Sequence, residues 1–452
     1  MKNQTSFAPN DLEMITARLG EANRAFMRRY PGESNRRQAV HTVYGGAHLF
    51  KADSAQRLGA VALRSLEEYA PDAASLAAAI GIGIDGDLAQ VVYDRINEKL
   101  RREPVEDFRL DFEDGYGNRP DEEEDGHAAA AAAEVARGLA EGTLPPFIGI
   151  RLKPFNEDLR ARSMRTCDLF LTALTKATKS QLPPNFVITV PKIQLPEQVT
   201  AAVQLFAMLE KKIGLPAGAL RIEPMIETPQ AIINQRGEIA LQSLVAAAEG
   251  RCGSVHFGVY DYTASCGITA AYQTMGHPSC DFARQMMLVS LAGTGVHLSD
   301  GATNILPVGP QRARDGQTLT AAQLCENRLA VHAAWRLGFN DNMHSLRTGF
   351  YQGWDLHPAQ LITRYAAVFA FFLEGLESAS DRLKTFVEKA ALASLFGDVF
   401  DDAATGQGLL NFFLRGIACG AITEAEALAT GLTLEEIRSR SFLKILQGRR
   451  AA

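Results

Sequence analysis

Residues 186–228 read FVITVPKIQLPEQVTAAVQLFAMLEKKIGLPAGALRIEPMIET, and this stretch decides how the rest of the chain folds. It opens with a short apolar run, continues with a longer segment whose apolar residues have helical spacing, and closes with a second apolar run. A nearly continuous apolar strand on each side of an amphipathic helix is typical of a βαβ unit, whose parallel sheet is covered on both faces.

The same alternation continues in both directions along the chain. We predict eight strands, in the runs VHTVYGG (40–46), FRLDFED (108–114), PFIGIRLKP (146–154), FVITVPKI (186–193), LRIEPMIET (220–228), SVHFGVYD (254–261), GVHLSDG (295–301) and GFYQGWDLHP (349–358). Eight strand–helix units indicate an α/β fold of the (β/α)₈ TIM barrel type, and a doubly wound open sheet is the alternative.

Two regions flank the barrel pattern. Residues 1–38 are predicted to form an N-terminal helical arm, and the barrel domain spans residues 39–376. Residues 377–452 show a helical pattern only and form a C-terminal helical extension. The sequence does not distinguish whether this extension is a lid over the barrel or an oligomer contact.

Composition excludes several classes of protein. The chain has 452 residues with 46 Lys and Arg against 52 Asp and Glu, so its net charge of -6 gives no basic surface for nucleic acid. Its most apolar run, Tyr365–Phe372, is far shorter than the roughly 20 residues of a membrane span, and the N-terminus lacks the apolar core of a signal peptide. The six cysteines are scattered without a CxxC pair, which suits a reducing compartment. We therefore expect a cytoplasmic enzyme with a small-molecule substrate, no nucleic-acid partner and no membrane contact.

Charged residues follow the apolar part of nearly every predicted strand. In a barrel, the carboxyl ends of the strands and the loops after them form one mouth, where active sites are built. Glu227 and Asp261 close two consecutive strands, with no histidine or cysteine beside them. Such a carboxylate pair offers oxygen ligands suited to Mg²⁺ or Mn²⁺. The alternative is that both carboxylates make structural hydrogen bonds.

Arg151 follows an unbroken apolar strand, where a charged side chain seldom lacks a partner. Its guanidinium group is suited to bind a substrate carboxylate and to stabilise charge that develops on a neighbouring oxygen. Alternatively, it forms a structural ion pair with the acidic residues of RLDFED, where strand alternation puts Asp111 and Glu113 on one face. Lys192 and His357 are further candidates for substrate binding.

Six ordered blocks of the sequence resemble the citrate lyase β-subunit family, a branch of the HpcH/HpaI aldolase superfamily. In that family the blocks read approximately DLEDA, VRVN, LPK, IETARGV, GAEDL and AIHPxQ. Here they are DFEDG (111–115), IRLKP (150–154), VPKI (190–193), IETPQAI (226–232), FGVYD (257–261) and WDLHPAQ (354–360). The resemblance implies a pyruvate- or phosphoenolpyruvate-type barrel that assembles as a homo-oligomer.

The resemblance also implies roles for individual residues. Glu227 and Asp261 would be the Mg²⁺ ligands, and Arg151 would contact the carboxylate or enolate oxygen of the substrate. Glu113 and Asp114 would position Arg151 and metal-bound water. The implied chemistry is formation or cleavage of a carbon–carbon bond through a metal-stabilised enolate of a small 2-oxo acid or an acyl-coenzyme A thioester.

The chain departs from the family where the substrate is chosen. FEDG stands where the aldolase branch has a histidine base in GEHA, although His48, after the first strand, could approach the same mouth. HTVYGGAHLF stands where the thioester lyases have a loop like RSxLFVPG that helps to hold coenzyme A. Tyr260 replaces the acidic residue of GAEDL. Neither the general base nor the use of coenzyme A follows from the sequence.

Two other functions fit the same pattern. The site could hydrolyse a thioester or act on phosphoenolpyruvate, which the positive charges of Lys153 and Lys192 favour. Alternatively, the barrel is catalytically silent and serves as a subunit or a small-molecule sensor, with the C-terminal extension as its docking surface. The presence of Arg151, Glu227 and Asp261 together argues for an enzyme.

Overall fold

The centre of the molecule is a closed barrel of eight parallel strands in sequence order, with β8 paired to β1. The computed structural model describes residues 6–7, 9–32, 34, 36–83, 86–313, 318–388, 394–396, 399–401 and 403–451. The strands are β1 (His41–Gly46), β2 (Asp107–Asp111), β3 (Phe147–Arg151), β4 (Phe186–Val190), β5 (Arg221–Ile226), β6 (Ser254–Phe257), β7 (His297–Ala302) and β8 (Gln352–Asp355). Each overlaps a predicted run, so the predicted (β/α)₈ barrel is confirmed and the open sheet is excluded.

Helices connect the strands and flank the barrel. They are α1 (Glu13–Arg29), α2 (Ser54–Tyr69), α3 (Ala73–Ile80), α4 (Gly86–Arg102), α5 (Asp121–Glu141), α6 (Arg160–Thr178), α7 (Pro196–Ile213), α8 (Pro229–Ile232), α9 (Leu241–Ala247), α10 (Val259–Ser265), α11 (Pro278–Leu291), α12 (Ala321–Arg347), α13 (Gln360–Glu374), α14 (Leu376–Glu388), α15 (Ala403–Ala418), α16 (Glu424–Ala427), α17 (Leu434–Arg438) and α18 (Phe442–Ala451). Short 3₁₀ turns occupy Pro9–Leu12, Ala47–Leu49, Ala270–Tyr272 and Leu428–Thr430. Over the described ranges, none of these helices combines the length and hydropathy that crossing a membrane requires.

Helix α5 shows how local chemistry sets the ends of a helix. Its first turn consists of four acidic residues, which are favoured at the positive end of the helix dipole. The alanine-rich run that follows has the highest helix propensity, and it buries Ala128, Ala132 and Val135. The helix ends at Gly142, whose φ of 68° is left-handed and suits a residue without a Cβ.

Alternate residues of each strand point toward the helices or toward the barrel interior. The outward positions are apolar and fully buried, as Leu110, Ile150 and Ile188 illustrate. The inward positions include charged residues that pair with one another: Arg109 Nη2 donates to Glu223 Oε2 over 2.8 Å. Because both side chains are nearly completely buried, this ion pair fills the interior and separates the two ends of the barrel.

The N-terminal arm meets the barrel through the segment after α1. Gly32 N donates to Gly293 O over 2.8 Å, and Gln38 N donates to Ala418 O over 3.1 Å. No residue of α1 itself is buried. The segment that follows α1 therefore runs across the end of the barrel where the strands begin.

The described part of the C-terminal extension packs at this same end. Arg415 in α15 donates from Nη1 to Gln38 Oε1 over 3.0 Å, and its guanidinium lies 5.1 Å from the ring centre of Tyr351, just before β8. Arg95 of α4 donates to Ala421 O over 2.7 Å. These contacts put α15 and α16 beside the amino ends of the strands, on the opposite side from the mouth.

The predicted C-terminal helical extension is confirmed, with one short addition that the sequence pattern did not predict. Its described residues include two short antiparallel strands, β9 (Ser394–Phe396) and β10 (Val399–Asp401), in which Phe400 pairs with Leu395. Aromatic and β-branched residues such as Phe396, Val399 and Phe400 favour strands over helices, and this local preference prevails after α14 ends.

Candidate active site at the barrel mouth

Lys192 is at the centre of a carboxylate cluster where the strands end. It follows β4, and its ammonium group contacts Glu113 and lies 3.3 Å from Asp114 Oδ2 and 3.5 Å from Asp261 Oδ2. Burial opposes the charge of this group, but Glu113 and Asp261 outweigh burial and raise the pKa of Lys192. The structure thus gathers several of the residues predicted from sequence around one cation.

The backbone of Lys192 has an uncommon conformation. Its φ of 51° is in the left-handed region, which costs a non-glycine residue roughly 1–2 kcal/mol. In this conformation the Lys192 N–H donates to Glu227 Oε1 over 2.7 Å. Such conformations persist where the surrounding structure requires them, and they cluster at functional sites. The amide and the ammonium group of one residue therefore both serve the acidic cluster.

Glu227 is the most deeply buried of the carboxylates predicted as metal ligands, with 1% of its surface exposed. Burial, followed by the charges of Asp261 and Glu113, raises the pKa of Glu227 to about 8. Burial and the neighbouring negative charges therefore favour the protonated form of Glu227, and a bound cation would oppose that effect.

The sequence pattern predicted that Asp261 ends a strand, and the structure corrects this prediction. Strand β6 ends before it, and Asp261 lies in the first turn of α10, where a carboxylate is stabilised by the helix dipole. Gly258 N donates to Ile226 O over 3.1 Å, which keeps the ends of β5 and β6 together. Glu227 and Asp261 are therefore neighbours through a strand end and a helix start.

Replacing Gly258 by alanine is expected to lower the free energy of unfolding by about 1–3 kcal/mol through overpacking. An added Cβ would lie 2.3 Å from Glu227 Oε2 and 2.6 Å from its Cβ. Urea denaturation followed by circular dichroism measures the change. Gly253→Ala is the control, because its Cβ would lie 3.6 Å from Arg221 Nη2, an ordinary contact distance. Equal losses in both variants would contradict a close approach specific to Glu227.

Arg151 ends β3 and is fixed on several sides. Its Nε donates to Asp111 Oδ1 over 2.7 Å, and its Nη1 lies 3.1 Å from Glu113 Oε2. The guanidinium carbon lies 4.7 Å from the ring centre of Tyr44, a cation–π contact. Burial opposes the charge, but Asp111 outweighs burial and raises the pKa of Arg151. Arg151 is therefore a permanently charged and pre-oriented group.

Asp111 and Tyr44 support this arginine, and neither was assigned a functional role from sequence. Asp111 binds the guanidinium through both Nε and Nη2, and it also accepts the N–H groups of Glu113 and Gly115. Asp114 contacts Lys192 rather than Arg151. For Tyr44, the alternation of side chains along β1 would have indicated that its ring faces the barrel interior.

Lys153 and His357 do not join the cluster. Lys153 Nζ donates to Phe112 O over 2.6 Å and pairs with Glu124 at 2.8 Å. His357 Nδ1 accepts the N–H of Ala359 over 3.2 Å, and burial lowers the pKa of His357. Across the part of the chain that the structure describes, no hydrogen bond or ion pair connects His357 to Arg151 or to the Lys192 cluster.

Two other charged strand ends turn away from the mouth. Arg284 of α11 donates from Nε to Asp300 Oδ2 over 2.9 Å. Arg364 of α13 donates from Nη2 to Asp355 Oδ1 over 3.1 Å. These ion pairs join strands to the surrounding helices, so Asp300 and Asp355 do not join the cluster at the mouth.

His48 lies in an aromatic environment after β1. Its ring centre is 5.4 Å from that of Tyr116 and 5.7 Å from that of His127. Its Nδ1 is buried without a hydrogen-bond partner, and burial lowers the pKa of His48. No described contact connects His48 to Arg151 or Lys192, so the geometry does not assign it as the general base.

The donor set of the cluster fits a divalent cation. Glu227 and Asp261 offer oxygen atoms only. Burial and the charges of Asp261 and Glu113 raise the pKa of Glu227, so a cation beside this pair would stabilise its ionised form. Within the described ranges, no three His, Cys, Asp or Glu side chains are already arranged as a metal centre. A cation at this pair would therefore complete its coordination with water and substrate, as Mg²⁺ commonly does.

Comparison with known proteins supports the fold. The sequence profile of a domain of unknown function, DUF6986, matches residues 19–445, and no curated protein matches the sequence. A citrate lyase from Burkholderia xenovorans LB400 has a TM-score of 0.56 at 17% identity, covering 87% of this chain and 96% of that chain. CitE from Mycobacterium tuberculosis, in complex with magnesium, acetoacetate and coenzyme A, has a TM-score of 0.47 at 14% identity, with 86% and 100% covered. Malate synthase from Haloferax volcanii has a TM-score of 0.46 at 14% identity, with 78% and 86% covered. The citrate lyase likeness confirms, at the level of the fold, the resemblance found in the sequence.

Proposed function

Because this chain belongs to the DUF6986 family of unknown function, we propose an activity from its own site. We propose that it is a Mg²⁺-dependent carbon–carbon lyase that forms or cleaves a bond through an enolate. The substrate is a small 2-oxo acid or an acyl-coenzyme A thioester. One observation carries the proposal: a fixed, buried arginine and two adjacent carboxylates meet at the mouth of the barrel.

Arg151 is placed to bind the oxygen on which negative charge develops. Asp111 holds the Nε edge of the guanidinium, so Nη1 is the nitrogen that faces Glu113 at 3.1 Å. A pre-oriented charge in a buried setting stabilises an enolate oxygen without reorganising during the reaction. Asp111 and Tyr44 act here as positioning residues, since they contact Arg151 from the barrel interior.

Glu227 and Asp261 would hold the cation, with Mn²⁺ as an alternative to Mg²⁺. Bound there, the metal would polarise the carbonyl oxygen of the substrate as a Lewis acid. The Lys192 ammonium contacts Glu113 and lies 3.3 Å from Asp114 Oδ2, so it balances the charge of the two carboxylates that are not proposed as ligands of the cation. Glu113 and Asp114 would orient water at the same place.

The substrate class rests on the chemistry of the site together with the resemblance in sequence. An enolate next to a carboxylate or a thioester is stabilised by a fixed positive group and a Lewis acid. Arg151 is the first, and Glu227 with Asp261 would hold the second. The coenzyme A in the CitE complex belongs to that protein. For this chain, a coenzyme A thioester is one of two proposed substrates, beside a 2-oxo acid.

A hydrolytic or phosphoenolpyruvate-directed activity at the same site is a second candidate. The observation that favours it is the Lys192 ammonium in the mouth, which could receive a phosphate. The sequence also pointed to Lys153, but that lysine is engaged by Glu124 and Phe112. The second candidate therefore rests on one cation instead of two.

We further propose that the protein is a cytoplasmic homo-oligomer.

Proton NMR in heavy water tests the lyase proposal. Pyruvate and acetyl-coenzyme A are incubated separately with the protein and Mg²⁺, and with EDTA as the control. We expect metal-dependent loss of the methyl signal of one compound, and the compound that exchanges identifies the substrate class. Phosphate release from phosphoenolpyruvate without methyl exchange would support the second candidate. The absence of all three reactions would support a catalytically silent barrel.

Asp261→Asn is expected to weaken Mg²⁺ binding about tenfold or more, because it removes one of two anionic ligands. Isothermal titration calorimetry with MgCl₂ alone measures the affinity. Glu238→Gln is the matched control, since Glu238 is exposed, pairs with Arg236 and has no described contact with the Lys192 cluster. Identical Mg²⁺ affinity in both variants would place the cation elsewhere.

A further inference from the structure

A second cavity lies at the opposite end of the barrel, where the strands begin. It has a volume of about 260 Å³. Its walls come from the first residues of several strands and from the segment after α1; they are Arg36, Arg37, Ala39, Asp107, Arg109, Phe147, Asn185, Phe186, Val187, Arg221, Glu223, Gly253, Ser254, His297 and Gln352. None of these residues belongs to the mouth, and the Arg109–Glu223 ion pair lies between the two ends.

The acidic side chains of this cavity are already neutralised. Arg109 contacts Asp107 and donates from Nη2 to Glu223 Oε2 over 2.8 Å. Glu223 also accepts the hydroxyl of Ser254 over 2.6 Å and lies 3.0 Å from His256 Nε2. Neither carboxylate is therefore available to balance another cation.

Two of the arginines remain without an acidic partner. Arg37 pairs with Glu103 and Glu106, outside the cavity. The Arg221 side chain makes no hydrogen bond or ion pair with any residue that the structure describes, although it is partly buried. The described contacts of the Arg36 side chain are limited to the hydroxyl of Ser34 at 3.3 Å. The cavity therefore carries uncompensated positive charge.

The pKa values of Arg221 and His297 agree with an excess of positive charge in the cavity. Burial, followed by the charge of Arg36, lowers the pKa of Arg221, as expected for a cation that lacks a counter-ion. Burial and the charges of Arg415 and Arg36 lower the pKa of His297 to about 4, so its ring is neutral and can form a hydrogen bond. A partly buried cation is usually paired, so the unpaired Arg221 side chain favours binding of an anion in this cavity.

The walls also indicate the body of the ligand. Phe147, Phe186 and Val187 line one side of the cavity with apolar surface. A hydrated inorganic ion gains little from such a wall, whereas an organic molecule with an anionic group can use both surfaces.

We propose that this cavity is a binding site for a small organic oxyanion, either a phosphate monoester or a free carboxylate with an apolar body, recognised by Arg221 and Arg36. Arginine binds both kinds of anion through its planar fork of N–H donors. Because the cavity lies at the opposite end of the barrel from the mouth, its ligand is an effector and not the substrate. Its binding would hold the segment after α1, which carries Arg36, against the strand ends. This inference does not depend on the proposed lyase activity.

Isothermal titration calorimetry in EDTA at low ionic strength tests the site with three probes of matched body. Phenyl phosphate and benzoate carry the two possible anionic groups, and benzyl alcohol is the neutral control. We expect at least one anion to bind at about 10 mM or below, and benzyl alcohol to bind roughly tenfold more weakly or not at all. The anion that binds more tightly identifies the headgroup.

Two variants link binding to the cavity. Arg221→Gln and the exposed Arg36→Gln are each expected to weaken binding of the better anion roughly tenfold. Arg236→Gln, at an exposed ion pair elsewhere, is expected to leave it unchanged. The Arg36 variant keeps the test valid if Arg221→Gln folds poorly. The proposal would be overturned if neither anion binds. It would also be overturned if the Arg36 variant and a folded Arg221 variant both bind the anion as tightly as the wild type.

Discussion

Arg151→Lys is expected to slow metal-dependent exchange of the substrate methyl protons by about 100-fold or more. Arg151 uses Nε and Nη2 to bind Asp111 and presents Nη1 toward the mouth. A lysine ammonium is a single point of charge, so it cannot occupy Asp111 and face the substrate at the same time. The measurement is the rate of methyl signal loss by NMR in heavy water, with pyruvate or acetyl-coenzyme A.

Arg236→Lys is the matched control for this prediction, because Arg236 is exposed and pairs with Glu238 far along the chain from Arg151. Circular dichroism and the melting temperature establish that both variants are folded. A folded Arg151→Lys protein that exchanges at the wild-type rate would show that Arg151 has a structural role only.

Arg109→Met is expected to lower the free energy of unfolding by about 3–5 kcal/mol. Arg109 is 2% exposed and contacts the carboxylates of Asp107 and Glu223 inside the barrel. Removing it leaves two buried negative charges without their main counter-ion, which is more costly than losing the hydrogen bonds alone. Urea denaturation monitored by circular dichroism measures the loss.

The matched control is Arg57→Met, in which the arginine is 68% exposed and pairs with Asp53 on the same helix turn. Exposed pairs of this kind contribute about 0.2–1 kcal/mol. If Arg109→Met does not yield folded protein, the double variant with Glu223→Gln is expected to recover part of the stability, because it removes one of the uncompensated charges. Similar small losses for Arg109→Met and Arg57→Met would contradict a buried ion-pair network.

The mouth shows which parts of the candidate site were predictable. Arg151 and Glu227 follow apolar strands directly, so the strand pattern located them. Asp261 was identified as a candidate but predicted to end a strand. In the structure β6 ends earlier and α10 starts at Val259, so Asp261 lies in a helix, and the start of that helix was not visible in the sequence pattern. Asp111 was considered as an ion-pair partner, and its full role depends on the loop amides that it also binds.

Charges with the same local pattern have different fates in the fold. Lys153 and Lys192 each follow a strand, yet one pairs with Glu124 and the other enters the carboxylate cluster. Asp300 lies within β7 and Asp355 ends β8, but both bind helix arginines. The direction of a side chain depends on where the strand ends and on which helix packs beside it.

The sequence by itself determined the eight strands, their parallel order and the general position of the mouth. Those features depend on local hydrophobic periodicity, which each segment carries independently of its neighbours. Tertiary structure alone decided which charged groups meet. Pairing depends on distances between segments far apart in the chain, such as Arg109 with Glu223 in the interior and Lys192 with Asp261 at the mouth. It likewise left the Arg221 side chain without an acidic partner at the opposite end, because no segment that the structure describes brings a carboxylate within its reach.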